Sequence, residues 1–198
     1  LHRIVRYLPL LFGVGGLVLF TGYGLASGRL QELALLPIAG ITIALVLIAS
    51  NLIYLAPEPL RDRVALALLG VYTAGILFMG LRPRGARGHH WWHRRELLAI
   101  TGGSTYDVVM NVVGFIPLGF LVVVWLAESR RLRAGIGSFL VSTLACGVLS
   151  LAIELSQYAI AGRASSLVDV ATNALGGLLG ATYAVLFVTL WRSRLEAA

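Results

Sequence analysis

The sequence contains no lysine. All 16 basic residues are arginine, and with 9 acidic residues they give a formal net charge of +7 and a pI near 10.3. Charge of either sign is scarce: 13% of the 198 residues are charged, where a soluble domain carries about 25%. A single cysteine, Cys146, rules out a disulfide framework. No serine–histidine or cysteine–histidine arrangement is present to support covalent catalysis.

What fills the chain instead is apolar sequence: 58% hydrophobic residues and a mean hydropathy of +0.86. Uncharged runs extend from Tyr7 to Gly28, Leu33 to Pro57, Val64 to Leu81, Val108 to Ala127, Ala134 to Ile153 and Val170 to Trp191. Each is long enough for a bilayer span, which takes roughly 17–25 residues. The expected fold is an all-α, polytopic transmembrane bundle of about six spans. Its parts are three N-terminal helices in 1–82, an extramembrane or interfacial loop in 83–105, a three-helix core in 106–191 and a tail in 192–198. The N-terminus, with Arg3, Arg6, an apolar run and Ala26-Ser27-Gly28, imitates a signal peptide. Its run exceeds an h-region of about 7–15 residues, which points to an uncleaved first helix.

In a soluble protein this pI would suggest nucleic-acid binding. Here the arginines flank apolar spans, where they anchor helices and attract anionic headgroups, so membrane lipids are the expected partners and nucleic acid is not. With the N-terminus in the cytoplasm, the inner segments hold Arg3, Arg6, Arg61, Arg63, Arg130, Arg131, Arg133, Arg192 and Arg194, and the short outer loops hold only Arg29 and Arg163. That asymmetry favours a multi-pass cell-membrane protein with its N-terminus inside. The five arginines of the long loop narrow the margin.

One pattern occurs twice, 62 positions apart: Ser-x-x-Asp-Val-x-x-Asn-x-x-Gly. The copies run through Ser104, Asp107, Val108, Asn111 and Gly114, and through Ser166, Asp169, Val170, Asn173 and Gly176. Acid, amide and glycine at i, i+4 and i+7 share a helix face. Each copy opens a span from the same side, and the fifth span ends there with Glu154, Gln157 and Tyr158. The span count alone therefore gathers a polar cluster at one membrane interface. Polar groups in such a setting are functional candidates.

Ser-x-x-Asp also fits a capping box, and an acid at a helix N-terminus suits the macrodipole. Asn111 and Asn173 lie about 6 Å deeper, beyond the reach of capping, and interhelical hydrogen bonding is their structural reading. Glu154 lies at a helix C-terminus, where the dipole disfavours an acid. It either faces a ligand or pairs with Arg163 on the short following loop. Gly176 and Gly180 form a small-x-x-x-small pair that turns its face into the bundle. Pro117 is expected to kink the fourth span and free the Val113 carbonyl. Three carboxylates beside one arginine leave room for a divalent cation, magnesium or calcium rather than zinc given oxygen-only donors. No ligand spacing is diagnostic, so no metal site is assigned. The loop His89-His90-Trp91-Trp92-His93-Arg94-Arg95 reads as an interfacial segment rather than a metal site, because His89 and His90 cannot share a helix face.

The run Asp107, Asn111, Phe115-x-Pro117-Leu118-Gly119, followed by Glu154-x-x-Gln157, Arg163 and Asp169-x-x-x-Asn173-x-x-Gly176-x-x-x-Gly180, resembles the signature of the VanZ-like family from about Tyr106 to Tyr183. Members are small integral membrane proteins of bacteria, and the namesake contributes to teicoplanin, hence glycopeptide, resistance. The resemblance implies that Asp107, Asn111, Glu154, Gln157, Arg163, Asp169 and Asn173 form the polar core. It supplies no reaction.

The resulting expectation is an outer-leaflet pocket in the cell envelope that binds or processes a lipid-linked or cell-wall component. In an enzyme, Glu154 would be the general acid or base, and Asp107 and Asp169 would hold a cation or orient substrate. Asn111, Asn173 and Gln157 would hydrogen-bond it, and Arg163 would meet a phosphate or carboxylate. The alternatives are a non-catalytic binding or shielding protein and, less favoured by an apolar midplane, a transporter.

Overall fold

The computed structural model describes residues 35–83, 105–160, 163 and 165–196. Five helices make up nearly all of it: α1 (Leu35–Leu55), α2 (Arg61–Leu81), α3 (Thr105–Glu128), α4 (Ile136–Gln157) and α5 (Leu167–Glu196). A 3-10 turn, Glu58–Leu60, leads into α2 behind Pro57, whose fixed φ suits a helix entrance. Four helices are long and apolar enough to cross a bilayer, through Glu58–Leu81, Asp107–Glu128, Ile136–Gln157 and Leu167–Ser193. A shorter apolar helix, Gly40–Leu55, precedes them. The expected first span in 1–34, Ser104 and the His/Trp segment lie outside the described residues.

One helix, α4, is inverted relative to a helix of a soluble protein. On α4 the buried stripe is Ser138, Ser142, Cys146, Ser150, Ile153, Glu154 and Gln157, at helical spacings of three and four. The opposite face carries Leu144 and Val148, each 67% exposed. Small and polar groups inside with large aliphatics outside is the arrangement expected where the surroundings are hydrocarbon. Forming helices also satisfies every backbone group within a span, which lipid cannot do.

α3 is the central element and packs against all four other helices. Its closest partner is α5, which runs parallel to it, and glycines set that distance. A Cβ at Gly180 would lie 2.0 Å from the Ile116 carbonyl oxygen, at Gly176 2.1 Å from that of Val112, and at Gly119 2.1 Å from that of Gly177. The Gly176/Gly180 face is thus turned into the bundle against bare backbone. Towards the other end of the pair, Phe120, Val123, Val124, Ala181, Ala184 and Val188 form the apolar core.

α3 continues through Pro117 without interruption. Neighbouring helices donate hydroxyls to carbonyls on either side of it. Tyr72 of α2 donates its hydroxyl to the Gly114 carbonyl at 2.8 Å, and Ser142 of α4 donates to the Gly119 carbonyl at 2.8 Å.

Candidate functional site

A cavity of about 890 Å³ opens among all five helices. Its polar end is made where α2 and α4 finish and α3 and α5 begin. There it is lined by Asp107 and Asn111 of α3, Glu154 and Gln157 of α4, Arg163, and Ser166, Asp169 and Asn173 at the start of α5. All seven residues nominated from the sequence therefore line one space. Away from them the cavity becomes apolar and runs as a slot between α1, α2 and α3, bounded by Leu45, Ile48, Leu52, Val71 and Ile76.

Glu154 is 2% exposed. The sequence left an acid at the end of α4 to a ligand or to a pairing with Arg163, and the structure adds a partner on the next element. The backbone N–H of Ser166 donates to Glu154 Oε2 at 2.9 Å. Ser166 immediately precedes α5, so the carboxylate sits at that helix's N-terminal end, where orphan N–H groups and the positive dipole favour an anion. The unfavourable C-terminus of its own helix is offset by the favourable N-terminus of another. Ser166 also caps its own helix, its Oγ accepting from the Asp169 N–H at 3.3 Å.

Arg163 and Gln157 tie the site to α2. The Arg163 guanidinium donates through Nη2 to the Met79 carbonyl and through Nε to that of Arg82 at 3.1 Å. Gln157 Nε2 donates to the Gly80 carbonyl at 3.0 Å. These carbonyls belong to the last turn and cap of α2, which its own helix leaves without donors, and a cation there complements the dipole. Gly80 lets α4 approach, since a Cβ on it would stand 3.0 Å from Ile153.

The asparagines differ from the rest. Asn173, 5% exposed, donates from Nδ2 to Ser150 Oγ at 2.8 Å, an α4–α5 bond of the interhelical kind. Among the described residues its Oδ1 is buried without a hydrogen-bond partner, and so is Nδ2 of Asn111. A buried polar atom left unmatched costs about 1–3 kcal/mol. Asp107, Glu154 and Asp169 share the wall, and among the described residues no three histidine, cysteine or acidic side chains come together as a metal site.

Sequence reading did not find Tyr72 or Ser150. Both sit in apolar helices outside the repeat, and neither carries a local signal of what it touches. It also treated the two copies of the repeat alike, and they are not. Gly176 meets the Val112 backbone, whereas a Cβ on Gly114 would meet nothing within 4 Å, and Gly114 lines the cavity.

Comparison with curated proteins and with solved structures gave no match. The family profile described as VanZ/LLP1 matches residues 41–188. The match starts within α1 and takes in α2, two helices on which the sequence motif left no mark. Covering most of the chain and every residue of the polar cavity end, it shows that the protein belongs to the VanZ/LLP1 family.

Proposed function

We propose that the cavity receives an amphipathic molecule of the cell envelope, a lipid-linked or cell-wall component, with its polar part among Asp107, Asn111, Glu154 and Asp169 and its apolar part in the α1–α2–α3 slot. The observation that carries this reading is the continuity of the two linings within one cavity. Pockets of roughly 300–1,000 Å³ with a mostly apolar wall and a few converging polar groups are the usual form of small-molecule sites. The arginines favour one orientation. Arg61, Arg130, Arg133 and Arg192 collect at the far end of the bundle, and placing that end in the cytoplasm puts the acids at the outer leaflet.

Glu154 is our choice for proton transfer. The Ser166 N–H fixes Oε2, and Oε1 is the oxygen we assign to the substrate. Asn111 and Asn173 would hydrogen-bond polar groups of the guest. The second reading is a non-catalytic binder or shield. It is favoured by the ties of Glu154, Gln157 and Arg163 to helix ends, which are also what a purely structural clamp would make.

The test uses the purified chain in nanodiscs with a fractionated envelope-lipid extract, followed by mass spectrometry of the lipid pool. Glu154→Gln keeps an oxygen for the Ser166 N–H but cannot transfer the proton. Conversion by the native chain that vanishes in this variant supports catalysis. Conversion that persists removes Glu154 from the chemistry, and retention of one lipid species without conversion supports the binder. Teicoplanin tolerance of a sensitive host expressing the chain is the cellular counterpart.

A further inference from the structure

A second cavity, of about 470 Å³, lies at the opposite end of the bundle from the acids, where α1, α3 and α5 end and α2 begins. Four arginines line it, Arg61, Arg130, Arg133 and Arg192, against Glu58 and Glu128. Glu128 is committed internally: it accepts from the Tyr54 hydroxyl at 3.2 Å and lies 3.5 Å from Arg192 Nη2. Glu58 has a side chain 75% exposed and stands 4.0 Å from Arg130, a spacing and exposure at which an ion pair neutralises little. The remaining field is positive.

Two of the arginines are held in place by backbone. Arg61 donates from Nε to the Ala56 carbonyl at 3.3 Å, with its guanidinium 5.5 Å from the Tyr54 ring centroid. Arg192 donates to the Ala127 carbonyl at 2.9 Å. Arg130 has φ +58°, unique among the non-glycine described residues, just past the end of α3, where glycine is the usual choice. An arginine stands at a position where a glycine would relax the turn, and strain of this kind collects at functional sites. On the same wall, Trp191 has a buried indole Nε1 without a hydrogen-bond partner among the described residues.

We propose that this cavity is a binding site for a phosphate group, at the level of the inner-leaflet headgroups and separate from the acidic cavity. Guanidinium forks match phosphate oxygens in geometry and charge, and juxtamembrane arginines each strengthen attraction to anionic lipid by about fivefold. The phosphate belongs either to an anionic lipid headgroup or to a soluble phosphate.

Native mass spectrometry of the detergent-purified full chain tests this, with phosphatidylglycerol, a diacylglycerol of the same acyl chains, and inorganic phosphate as probes. The expected result is one phosphatidylglycerol retained per chain in preference to diacylglycerol, with Arg133→Gln and Arg130→Gly each weakening retention by about fivefold. Arg130→Gly also relieves the positive φ, so its melting temperature should not fall, which separates lost binding from lost folding. Displacement by inorganic phosphate assigns the site to a soluble phosphate. Retained lipid in the presence of phosphate assigns it to the headgroup. Equal retention of diacylglycerol, or both variants binding like the native chain, overturns the proposal.

Discussion

Gly114 and Gly176 occupy the same place in the two copies of the repeat, and alanine should have opposite effects at the two. At Gly176 a Cβ would stand 2.1 Å from the Val112 carbonyl oxygen, 2.9 Å from its carbon and 3.0 Å from Phe115 Cβ. Tolerable contacts begin above 3.0 Å, so α3 and α5 must separate by about 1 Å or twist apart. The obstacle is backbone inside a regular helix, and no side chain can swing away to absorb it. Overpacking of a core costs about 1–3 kcal/mol where side chains can adjust, so Gly176→Ala belongs at the upper end, about 3 kcal/mol. At Gly114 nothing lies within 4 Å of the added methyl, and replacing glycine by alanine in a helix favours the helix by about 1 kcal/mol. Gly114→Ala should thus be neutral or stabilising. Thermal unfolding of both variants in one detergent, followed by scanning fluorimetry or by loss of the monodisperse chromatographic peak, makes the comparison. Equal melting temperatures, or greater damage at Gly114, would refute the backbone-contact account of α3–α5 packing.

Glu154→Ala leaves the Ser166 N–H without its acceptor in a buried place, a loss of about 1–3 kcal/mol, while Glu154→Gln should lose well under half of that; urea or thermal unfolding separates them. Tyr72→Phe removes the hydroxyl from the Gly114 carbonyl in the turn before Pro117, costing about 1 kcal/mol and speeding amide exchange along the Gly114–Leu118 stretch. A double-mutant cycle of Ser150→Ala with Asn173→Ala should return a coupling of about 0.6–2 kcal/mol, and a coupling near zero would show that their hydrogen bond is not formed in the folded bundle.

The helices themselves were legible because the bilayer simplifies the reading: an uncharged run of about 20 residues must form its own hydrogen bonds. The runs at Val64–Leu81, Val108–Ala127, Ala134–Ile153 and Val170–Trp191 fall within α2, α3, α5 and, but for its first two residues, α4. Residues of the polar cavity were legible for a related reason. Asp107, Asn111, Asp169 and Asn173 are conspicuous against apolar neighbours, and alternating span direction brings their ends together without any knowledge of packing. Glycine was half legible. The Gly176-x-x-x-Gly180 spacing marks a close approach, but only the partner helix decides that Gly119 joins that contact and Gly114 does not. Ser142, Ser150 and Tyr72 gave no warning, since a hydroxyl inside a span can bond its own preceding turn as Thr143 does to Phe139, or cross to a neighbour.

Glu154 shows where local reading stops. Each helix end carries unsatisfied groups whose sign is known from the sequence, N–H at the start and C=O at the finish. Which foreign side chain answers them is a property of the assembled bundle. At the polar end of this one, two helices finish and two begin within reach of the same few side chains. The acid of α4 answers the start of α5, and the arginine and glutamine after it answer the finish of α2. An acid that looks misplaced on its own helix is well placed on a neighbour's. The same groups therefore fix the geometry of the cavity and face into it. A mutation that removes one will disturb both roles, so only replacements that preserve the backbone tie, glutamine for Glu154 above all, can separate chemistry at this site from the architecture that holds it.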